Sequence, residues 1–264
     1  MPNTLPNTIS LSKYISQSRY TSRRKAAELV KQGQIVVDGS ICLNPGTRID
    51  PKKSSVIHIQ PNTKKQTNIT IPQQYQYLML NKPPGYLCTT NDPYNRKTIY
   101  QLLPKDTSVY PVGRLDQDSR GLLLLSNDGF FINHLTNPKF HVSKTYHVTI
   151  LGKVSENTVD QLNKIASNEP VAIADIIITK PIQASIIKHQ NNNTIVEFIL
   201  KEGKKRQIRR MCAYAHLHIL DLKRVKIGSI ELNNLKEGTF RKLTKDEVQA
   251  LFENLNLHPH PQPV

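Results

Sequence analysis

From residue 77 onward, segments with the residue pattern of β-strands outnumber segments with a helical pattern, and the two kinds do not alternate regularly. Regular alternation is typical of doubly wound folds, so this order favours an α+β domain built on a mixed or antiparallel sheet. The predicted strands span residues 77–80, 122–125, 145–151, 171–179, 194–200 and 219–227. The predicted helices span residues 155–166, 206–215 and 245–251, the last capped by Thr244.

The first 60 residues have a different pattern, in which apolar residues recur at helical spacing. Leu11, Tyr14 and Ile15 predict a short first helix. A second helix is predicted after Ser22, because its hydroxyl can accept a hydrogen bond from a free N–H group of the first turn. Gly33 follows this helix, at the position where glycine commonly ends one.

A hairpin completes this small module. Asp38-Gly39 follows a β-prone run and predicts a tight turn, because type I′ turns need positive φ. Residues 56–59 predict a further strand. We therefore predict a module over residues 9–60, a polar linker over 61–76, a larger domain over 77–256 and a tail over 257–264.

The chain carries 36 Lys and Arg against 20 Asp and Glu among its 264 residues, a formal net charge of +16. This excess favours a polyanionic partner, nucleic acid first. No stretch approaches the roughly 20 apolar residues that a membrane-spanning helix needs. The N-terminus lacks a secretory pattern, and the three widely spaced cysteines are typical of reduced thiols, so a cytoplasmic protein is expected.

The positive charge is concentrated within residues 11–31 and 201–226. Arg206, Arg209 and Arg210 have the spacing that places them on one side of a helix, where their repulsion requires phosphates or a carboxylate to offset it. A solvated basic face is the alternative reading, but the prominence of arginine favours phosphate binding. Cys212 has two histidines nearby in sequence, yet the spacing matches no closed zinc pattern, and no metal site is predicted.

Residues 113–129, GRLDQDSRGLLLLSNDG, combine carboxylates, arginines and glycines directly before an apolar run. Asp116 and Asp118 lie between Arg114 and Arg120, and a neighbouring arginine favours the ionised form of a carboxylate. Glycines allow the backbone to come close to a ligand. The residues alone leave open whether this segment is a reactive site or a polar loop with a surface ion pair.

The N-terminal segment LSKYISQSRYTSRRKAAELVKQGQIVVDGS resembles the S4 RNA-binding domain. The resemblance rests on the Ser-Arg-Arg start of the second helix, on Gly33, on the Ile-Val-Val strand and on the Asp-Gly turn. It implies that this module binds the backbone of structured RNA. The residues implied to contact RNA are Arg19, Ser22, Arg23, Arg24, Lys25 and Lys31.

The segment GRLDQDSRGLLLLSNDG resembles the catalytic signature of the RsuA family of pseudouridine synthases. Three other segments occur in the family's order. LMLNKPPGYLCTT resembles its first motif, KTYHV its tyrosine strand and EGKKRQIRRMC its C-terminal motif. With the S4 module, the resemblance covers about residues 9–256 and implies an enzyme that converts uridine in RNA into pseudouridine.

The resemblance also implies roles for individual residues. Asp116 matches the family's essential aspartate, Tyr146 the tyrosine that stacks on the target uracil, and Arg209 the arginine that pairs with the aspartate. Arg114 matches an arginine that can fill the space left by a flipped base. Asp118 matches a position that varies among relatives.

Three further residues are expected to support RNA binding. Lys82 lies in the first motif and is implied to be structural or in contact with RNA. Arg206 and Arg210, from the second basic cluster, are predicted to bind RNA.

Ser126 departs mildly from the threonine that is usual at the end of the signature.

The implied reaction is a rearrangement with no net redox change, so neither a metal nor a nucleotide cofactor is expected. Asp116 would attack C1′ as a nucleophile or remove a ribose proton, and the sequence leaves both routes open. The target uridine must leave its stack, at a cost of a few kcal/mol.

The expected partner is ribosomal RNA, and the expected protein is a monomer. YLCTTNDPYNRKT and RQIRRMC favour the large-subunit (23S) RNA as the target. A small-subunit (16S) enzyme and a catalytically silent ribosome-assembly factor are the alternatives, although a silent relative is not expected to keep Asp116, Tyr146 and Arg209 together. A DNA-binding protein is disfavoured, because no separate base-reading helix is evident.

Overall fold

The computed structural model describes residues 8–18, 20–61, 65–70, 75–90, 92–105 and 107–254. These residues form two compact units, of which the first runs to Tyr75 and the second holds most of the chain from Gln76 onward. The predicted tail, residues 257–264, and Arg19, one of the predicted RNA contacts, lie outside the described residues. No helix within the described ranges is long and apolar enough to cross a lipid bilayer.

The first unit begins with the two predicted helices, α1 (Leu11–Gln17) and α2 (Arg23–Lys31). Ser22 caps α2, because its side chain accepts a hydrogen bond from the backbone N–H of Lys25 at 3.2 Å. Gly33 follows α2 with a φ of +70°, which glycine adopts without the strain that a Cβ would bring. Both helices are therefore confirmed, with the caps that the sequence predicts.

Short strands complete the described part of this unit. They are β1 (Ile9–Ser10), β2 (Ile35–Val37), β3 (Ser40–Ile41), β4 (Arg48–Ile49), β5 (Val56–Ile59) and β6 (Gln66–Asn68). β2 and β3 form the predicted hairpin, in which Asp38 and Gly39 have φ values of +49° and +85°. The sheet order is β3-β2-β5-β6, and β1 pairs with β4.

The segment predicted as a linker, residues 61–76, contributes to the first unit instead. β6 pairs antiparallel with β5. Ile69 is 2% exposed in the core of the unit, and its carbonyl accepts a hydrogen bond from the Tyr14 hydroxyl at 3.1 Å. The prediction of a structureless linker is therefore wrong over residues 66–69, because one buried isoleucine in a polar stretch gives no periodic signal.

Most strands of the second unit belong to one mixed sheet. The strands are β7 (Tyr77–Lys82), β8 (Tyr110–Pro111), β9 (Arg120–Ser126), β10 (Lys144–Leu151), β11 (Val171–Ile173), β12 (Ile176–Ile178), β13 (Gln183–Gln190), β14 (Asn193–Leu200), β15 (Ile219–Ile227), β16 (Ile230–Glu231) and β17 (Phe240–Lys242). The sheet order is β13-β14-β10-β15-β9-β7-β17, with β16 beside β15 and β8 beside β9. Among the described strands of this sheet β9 and β15 pair in parallel and the others antiparallel, which confirms the predicted α+β class.

The helices after residue 128 are α3 (Gly129–Thr136), α4 (Glu156–Lys164), α5 (Gln207–Tyr214) and α6 (Lys245–Glu253). α4, α5 and α6 confirm the predicted helices, and Thr244 caps α6 as expected. α3 escapes prediction because it begins at the glycine of Asp128-Gly129, a pair that is typical of a turn. The strand predicted over residues 171–179 is wrong as a single element: it is the hairpin of β11 and β12, with Ala174 in the left-handed conformation at its turn.

Two apolar clusters pack against this sheet. One joins β10, β14 and β15 to α4 and α5 through residues such as Val148, Phe198 and Met211. The other lies on β7 and β9 and includes Leu80. Tyr146, on β10, packs against both clusters. Its ring is thus held where the two halves of the core meet, close to residues 113–119, which connect β8 to β9 and are called the aspartate loop below.

Gly121 is the position at which the parallel strand pair leaves no room for a side chain. Its φ is +102°, and a Cβ there would lie 2.2 Å from the backbone oxygen of Arg224 on β15. We expect Gly121→Ala to lower the free energy of unfolding by about 3 kcal/mol or more, measured by urea unfolding of the full chain. The control is Gly152→Ala, which also has a positive φ but meets open space and should cost only about 1–2 kcal/mol. Equal losses for the two variants would contradict the close approach of β9 and β15.

Candidate active site

The aspartate loop is fastened to the sheet by a buried lysine. Lys82 ends β7 and is 0% exposed. Its ammonium donates to the backbone carbonyls of Ser119 at 2.7 Å, Asp116 at 3.1 Å and Gln117 at 3.3 Å. It also donates to the carbonyl of Pro83 at 3.1 Å. Because three of these carbonyls belong to the loop, Lys82 fixes the path of its backbone and so the position of the Asp116 carboxylate.

Burial also determines what Lys82 cannot do. It lowers the pKa of the Lys82 ammonium, since low-dielectric surroundings disfavour the charged form. The ammonium has no accessible surface and is surrounded by carbonyl oxygens. The prediction that Lys82 contacts RNA is therefore corrected, and the structural role, which the first motif also implied, is the one that its position supports.

A cavity of about 350 Å³ lies beside the aspartate loop, within the range of roughly 300–1,000 Å³ that is typical of ligand sites. Asp116 lines it from the loop and Tyr146 from β10. Arg224 lines it from β15, and Arg206 and Arg209 line it from the start of α5. The structure thus brings together the aspartate, the tyrosine and the arginine that the family resemblance singles out.

The strand register explains how Tyr146 is presented. β10 lies between β14 and β15, so Tyr146 has Phe198 opposite it on one side and Arg224 on the other. Phe198 is fully buried, and the guanidinium carbon of Arg224 lies 6.0 Å from the centroid of the Tyr146 ring. The partly buried ring offers a flat surface of the kind on which a nucleobase stacks.

The Asp116 carboxylate is accessible, with its side chain 37% exposed. Its nearest cation is Arg206, whose Nη1 lies 3.9 Å from Oδ2 of Asp116. Arg206 has a left-handed backbone (φ +53°) directly before α5, and its guanidinium donates chiefly to Asp118, at 3.2–3.3 Å. The Asp116 carboxylate is thus left open toward the cavity.

The expected ion pair between Arg209 and Asp116 is absent among the described residues. Nη2 of Arg209 lies 3.3 Å from Oδ2 of Asp118 and donates to the Asp118 carbonyl at 3.2 Å and to the Ser119 hydroxyl at 3.3 Å. The predicted pairing is wrong for this conformation, because Asp118, two residues along the same loop, takes the arginine. Arg209 nevertheless lines the cavity and tethers the aspartate loop to α5.

Asp118 acts as the counter-charge for these arginines. Partial burial favours its neutral form, but the hydrogen bond from Arg206 and the charge of Arg209 outweigh burial and hold the pKa of Asp118 below its usual value. Arg210 is 16% exposed and pairs instead with Asp175, at the turn of the β11–β12 hairpin, at 2.5 Å. Carboxylates therefore offset the repulsion between the three arginines, one of the two ways that the sequence allowed.

Arg114 differs from the other arginines of the site. It is exposed, lines the cavity, and forms no ion pair or hydrogen bond with the residues that the structure describes. No contact with the described residues fixes its guanidinium, and its role in filling the space of a flipped base stays a prediction.

Two cations of the cavity, the buried Arg224 and the partly buried Lys144, are not among the predicted site residues. Arg224 is 3% exposed, and its Nε donates to the carbonyl of Leu122 at 2.7 Å. The Lys144 ammonium donates to the carbonyls of Val142 at 2.8 Å and Leu135 at 3.2 Å. Burial, helped by the charge of Arg224, lowers the pKa of Lys144 to about 8. Both stand in segments that the sequence analysis singled out, but a charge pattern does not distinguish a buried cation from a solvated one.

The basic residues of the first unit are arranged differently, on its surface. Arg23, Arg24, Lys25 and Lys31 are all exposed on α2. Glu28 lies 3.9 Å from Arg24 and 3.2 Å from Lys25, so the helix keeps a net positive face. Ser22 uses its hydroxyl to cap α2, which gives it a structural role besides the predicted RNA contact.

Comparison with known proteins agrees with this geometry. Residues 76–214 match the family model of RNA pseudouridylate synthases, and residues 10–53 match that of the S4 domain. A crystal structure of a pseudouridylate synthase has a TM-score of 0.63 and 29% identity, covering 92% of this chain and 99% of that chain. The chain therefore belongs to the RNA pseudouridylate synthase family, and to the RsuA type that carries an N-terminal S4 domain.

Individual relatives support the same assignment. An uncharacterized RNA pseudouridine synthase of Bacillus subtilis (strain 168) is 34% identical over 209 residues, which cover 77% of this chain and 85% of that protein. The ribosomal small subunit pseudouridine synthase A of Escherichia coli (strain K12) is 36% identical over 180 residues, covering 67% of this chain and 74% of that protein. The chain is thus an isomerase that acts on uridine in RNA.

The role of Lys82 gives a direct test of the site. Lys82→Met keeps a buried unbranched side chain but removes every hydrogen bond from the ammonium to the aspartate loop. A shift of about 1 Å in a catalytic group can cost on the order of 100-fold in rate, so we expect a loss of that size with RNA affinity nearly unchanged. Pseudouridine formation is measured on total RNA from cells that lack the gene. Lys164→Met, at the exposed end of α4, is the control, and a wild-type rate in Lys82→Met would refute the positioning role.

Proposed function

We propose that this enzyme isomerises a specific uridine of ribosomal RNA to pseudouridine, with Asp116 as the group that acts on the ribose. The observation that carries the proposal is the accessible Asp116 carboxylate in a cavity that it shares with Tyr146 and several cations. A carboxylate supplies the chemistry, an aromatic ring takes the base, and the cations suit a polyanionic substrate. The enzyme acts as a monomer in the cytoplasm, where its substrate is found.

Binding requires the target nucleotide to leave its helix. Unstacking costs a few kcal/mol, and stacking of the base on Tyr146 returns about 1–3 kcal/mol. Arg114, which is free of protein partners among the described residues, fills the space that the base vacates. The exposed basic face of α2 adds contacts to the RNA backbone that do not depend on base sequence.

The reaction then exchanges one bond for another. The C1′–N1 bond breaks, the uracil turns within the cavity, the C5–C1′ bond forms, and the proton of C5 is lost while N1 gains one. Asp116 either attacks C1′ or removes a ribose proton to give a glycal, and both routes need its charged form. Lys82 and Arg209 hold the loop that carries Asp116 and are positioning residues for this step.

The sequence segments YLCTTNDPYNRKT and RQIRRMC favour large-subunit RNA as the target. The Escherichia coli relative is named a small-subunit enzyme, and this name favours small-subunit RNA as the second candidate. Both candidates share the chemistry proposed here and differ in the RNA that presents the uridine.

One experiment tests the activity and the target together. Pseudouridine is mapped by carbodiimide modification and primer extension on both ribosomal RNAs, from cells with the gene, without it, and complemented with wild type or Asp116→Asn. We expect one site to vanish on deletion and to return with wild type alone, because the asparagine keeps the shape of the side chain and lacks the charge. A loss of at least about 10²–10⁴-fold in rate is expected for the purified variant, with RNA binding retained. If Asp116→Asn restores the site, the catalytic role of Asp116 is refuted. If both RNAs carry the same pseudouridines with and without the gene, the ribosomal target is refuted.

The S4 contribution is tested by charge removal on α2. Arg23→Gln combined with Lys31→Gln removes two exposed charges of the predicted RNA face. We expect weaker binding to ribosomal RNA and a smaller slope of log K against log salt, by roughly 0.7–0.9 for each phosphate that is no longer neutralised. Lys52→Gln combined with Lys53→Gln removes the same charge outside α2 and is the control. Equal effects of the two double substitutions would mean that the charges of α2 contribute only to the overall positive electrostatic field of the protein.

A further inference from the structure

Arg224 carries a hydrogen-bond donor that nothing in the described protein satisfies. The residue is 3% exposed, and its Nε donates to the carbonyl of Leu122. Nη2 is buried and has no hydrogen-bond partner among the described residues. A buried donor without a protein partner is costly, and because Arg224 lines the cavity, a bound ligand can supply the acceptor.

The charges around Arg224 indicate what kind of acceptor this is. No carboxylate of the described residues lies within 4 Å of Arg224 or of Lys144, a partly buried cation of the same cavity. The two side chains therefore leave this part of the cavity positively charged. An oxygen that carries or gains negative charge is the complementary ligand, and it gains more stabilisation here than in water.

The position of Tyr146 indicates which part of the nucleotide lies there. Arg224 is opposite Tyr146 on the neighbouring strand, and its guanidinium carbon lies 6.0 Å from the centroid of the ring. A base that packs on this ring comes within reach of the guanidinium. The phosphates of the RNA are expected to bind Arg206 and Lys205 instead, because these side chains are exposed at the cavity.

We propose that Nη2 of Arg224 donates a hydrogen bond to a carbonyl oxygen of the target uracil and stabilises the departing base. When the C1′–N1 bond breaks, its electron pair passes to the uracil ring and is shared with O2 and O4. The pair returns to C1′ when the C5–C1′ bond forms, and N1 is protonated as C5 loses its proton. Arg224 thus binds the transition state more strongly than the ground state and is a catalytic residue. This inference rests on the proposed function.

The activity test compares Arg224→Gln and Arg224→Lys with wild type in single-turnover reactions on transcripts of both ribosomal RNAs. We expect Arg224→Gln to lower the rate on the order of 10- to 100-fold with little change in RNA affinity, and Arg224→Lys to recover part of the rate through its charge. Arg120→Gln is the control, because Arg120 lies on β9 beside the same strand pair but forms surface ion pairs with Asp221 and Glu237. A wild-type rate in Arg224→Gln would overturn the proposal.

A substitution in the ligand separates base contact from a purely structural effect. Transcripts that contain 2-thiouridine or 4-thiouridine replace one carbonyl oxygen at a time by sulfur, a weaker acceptor. At least one of these replacements should lower the single-turnover rate of the wild-type enzyme about as much as Arg224→Gln does. The same replacement should leave the rate of Arg224→Gln unchanged. Equal sensitivity of wild type and variant to both replacements would mean that Arg224 acts on the fold alone, and would overturn the proposal.

Binding of uridine 5′-monophosphate tests the Arg224 contact independently of which ribosomal RNA is the target. The nucleotide and its 2-thio and 4-thio forms are titrated into the full wild-type chain, with the Nη signals of its arginines followed by NMR. A buried Arg224 signal that shifts with the nucleotide and less with one thio form supports the contact, even if neither ribosomal RNA is modified. If the Arg224 signal does not shift when the protein is saturated with nucleotide, the proposed contact is overturned. This outcome holds even if the RNA is modified and even if the Arg224 variants fail to fold.

Discussion

The contact between the buried Lys82 ammonium and the carbonyls of the aspartate loop is the interaction on which the site depends. An ammonium without surface exposure is tolerated only where oxygens replace its hydration shell, and here the loop supplies most of them. Folding of the loop and burial of the cation are therefore one event. The result is a backbone anchored by hydrogen bonds that presents Asp116 to the cavity, with Arg209 holding the same loop from the side of α5.

The central strands organise the rest of the cavity. β10 places Tyr146 between the two apolar clusters, and β15 places Arg224 opposite it. β15 reaches that register because it runs parallel to β9, which in turn needs a glycine at residue 121. The segment over residues 113–129 thus has two structural roles. Its first half carries the Asp116 carboxylate, and its second half includes β9, the strand with which β15 pairs.

The sequence reveals the elements that have their own local signal. α1 and α2 follow from apolar spacing and from Ser22, and the site's aspartate and tyrosine follow from short motifs. β6 was missed because its single anchor, Ile69, is buried by residues distant in the chain. The partner of Arg209 was wrong, since two aspartates within reach of one arginine cannot be separated by spacing alone. Lys82 and Arg224 show the same limit: a one-dimensional charge pattern does not record which cations are enclosed.

The position of β6 limits where an N-terminal fragment of this chain can end. β6 covers one side of β5, whose backbone donors and acceptors would otherwise face solvent. A shortened N-terminal fragment that stops at residue 60 would expose that strand edge together with the apolar pocket that Ile69 fills. Such edges pair readily with other chains, so the fragment would tend to aggregate. The main segment of the first unit runs to Tyr75, well beyond residue 53, at which the match to the S4 domain ends.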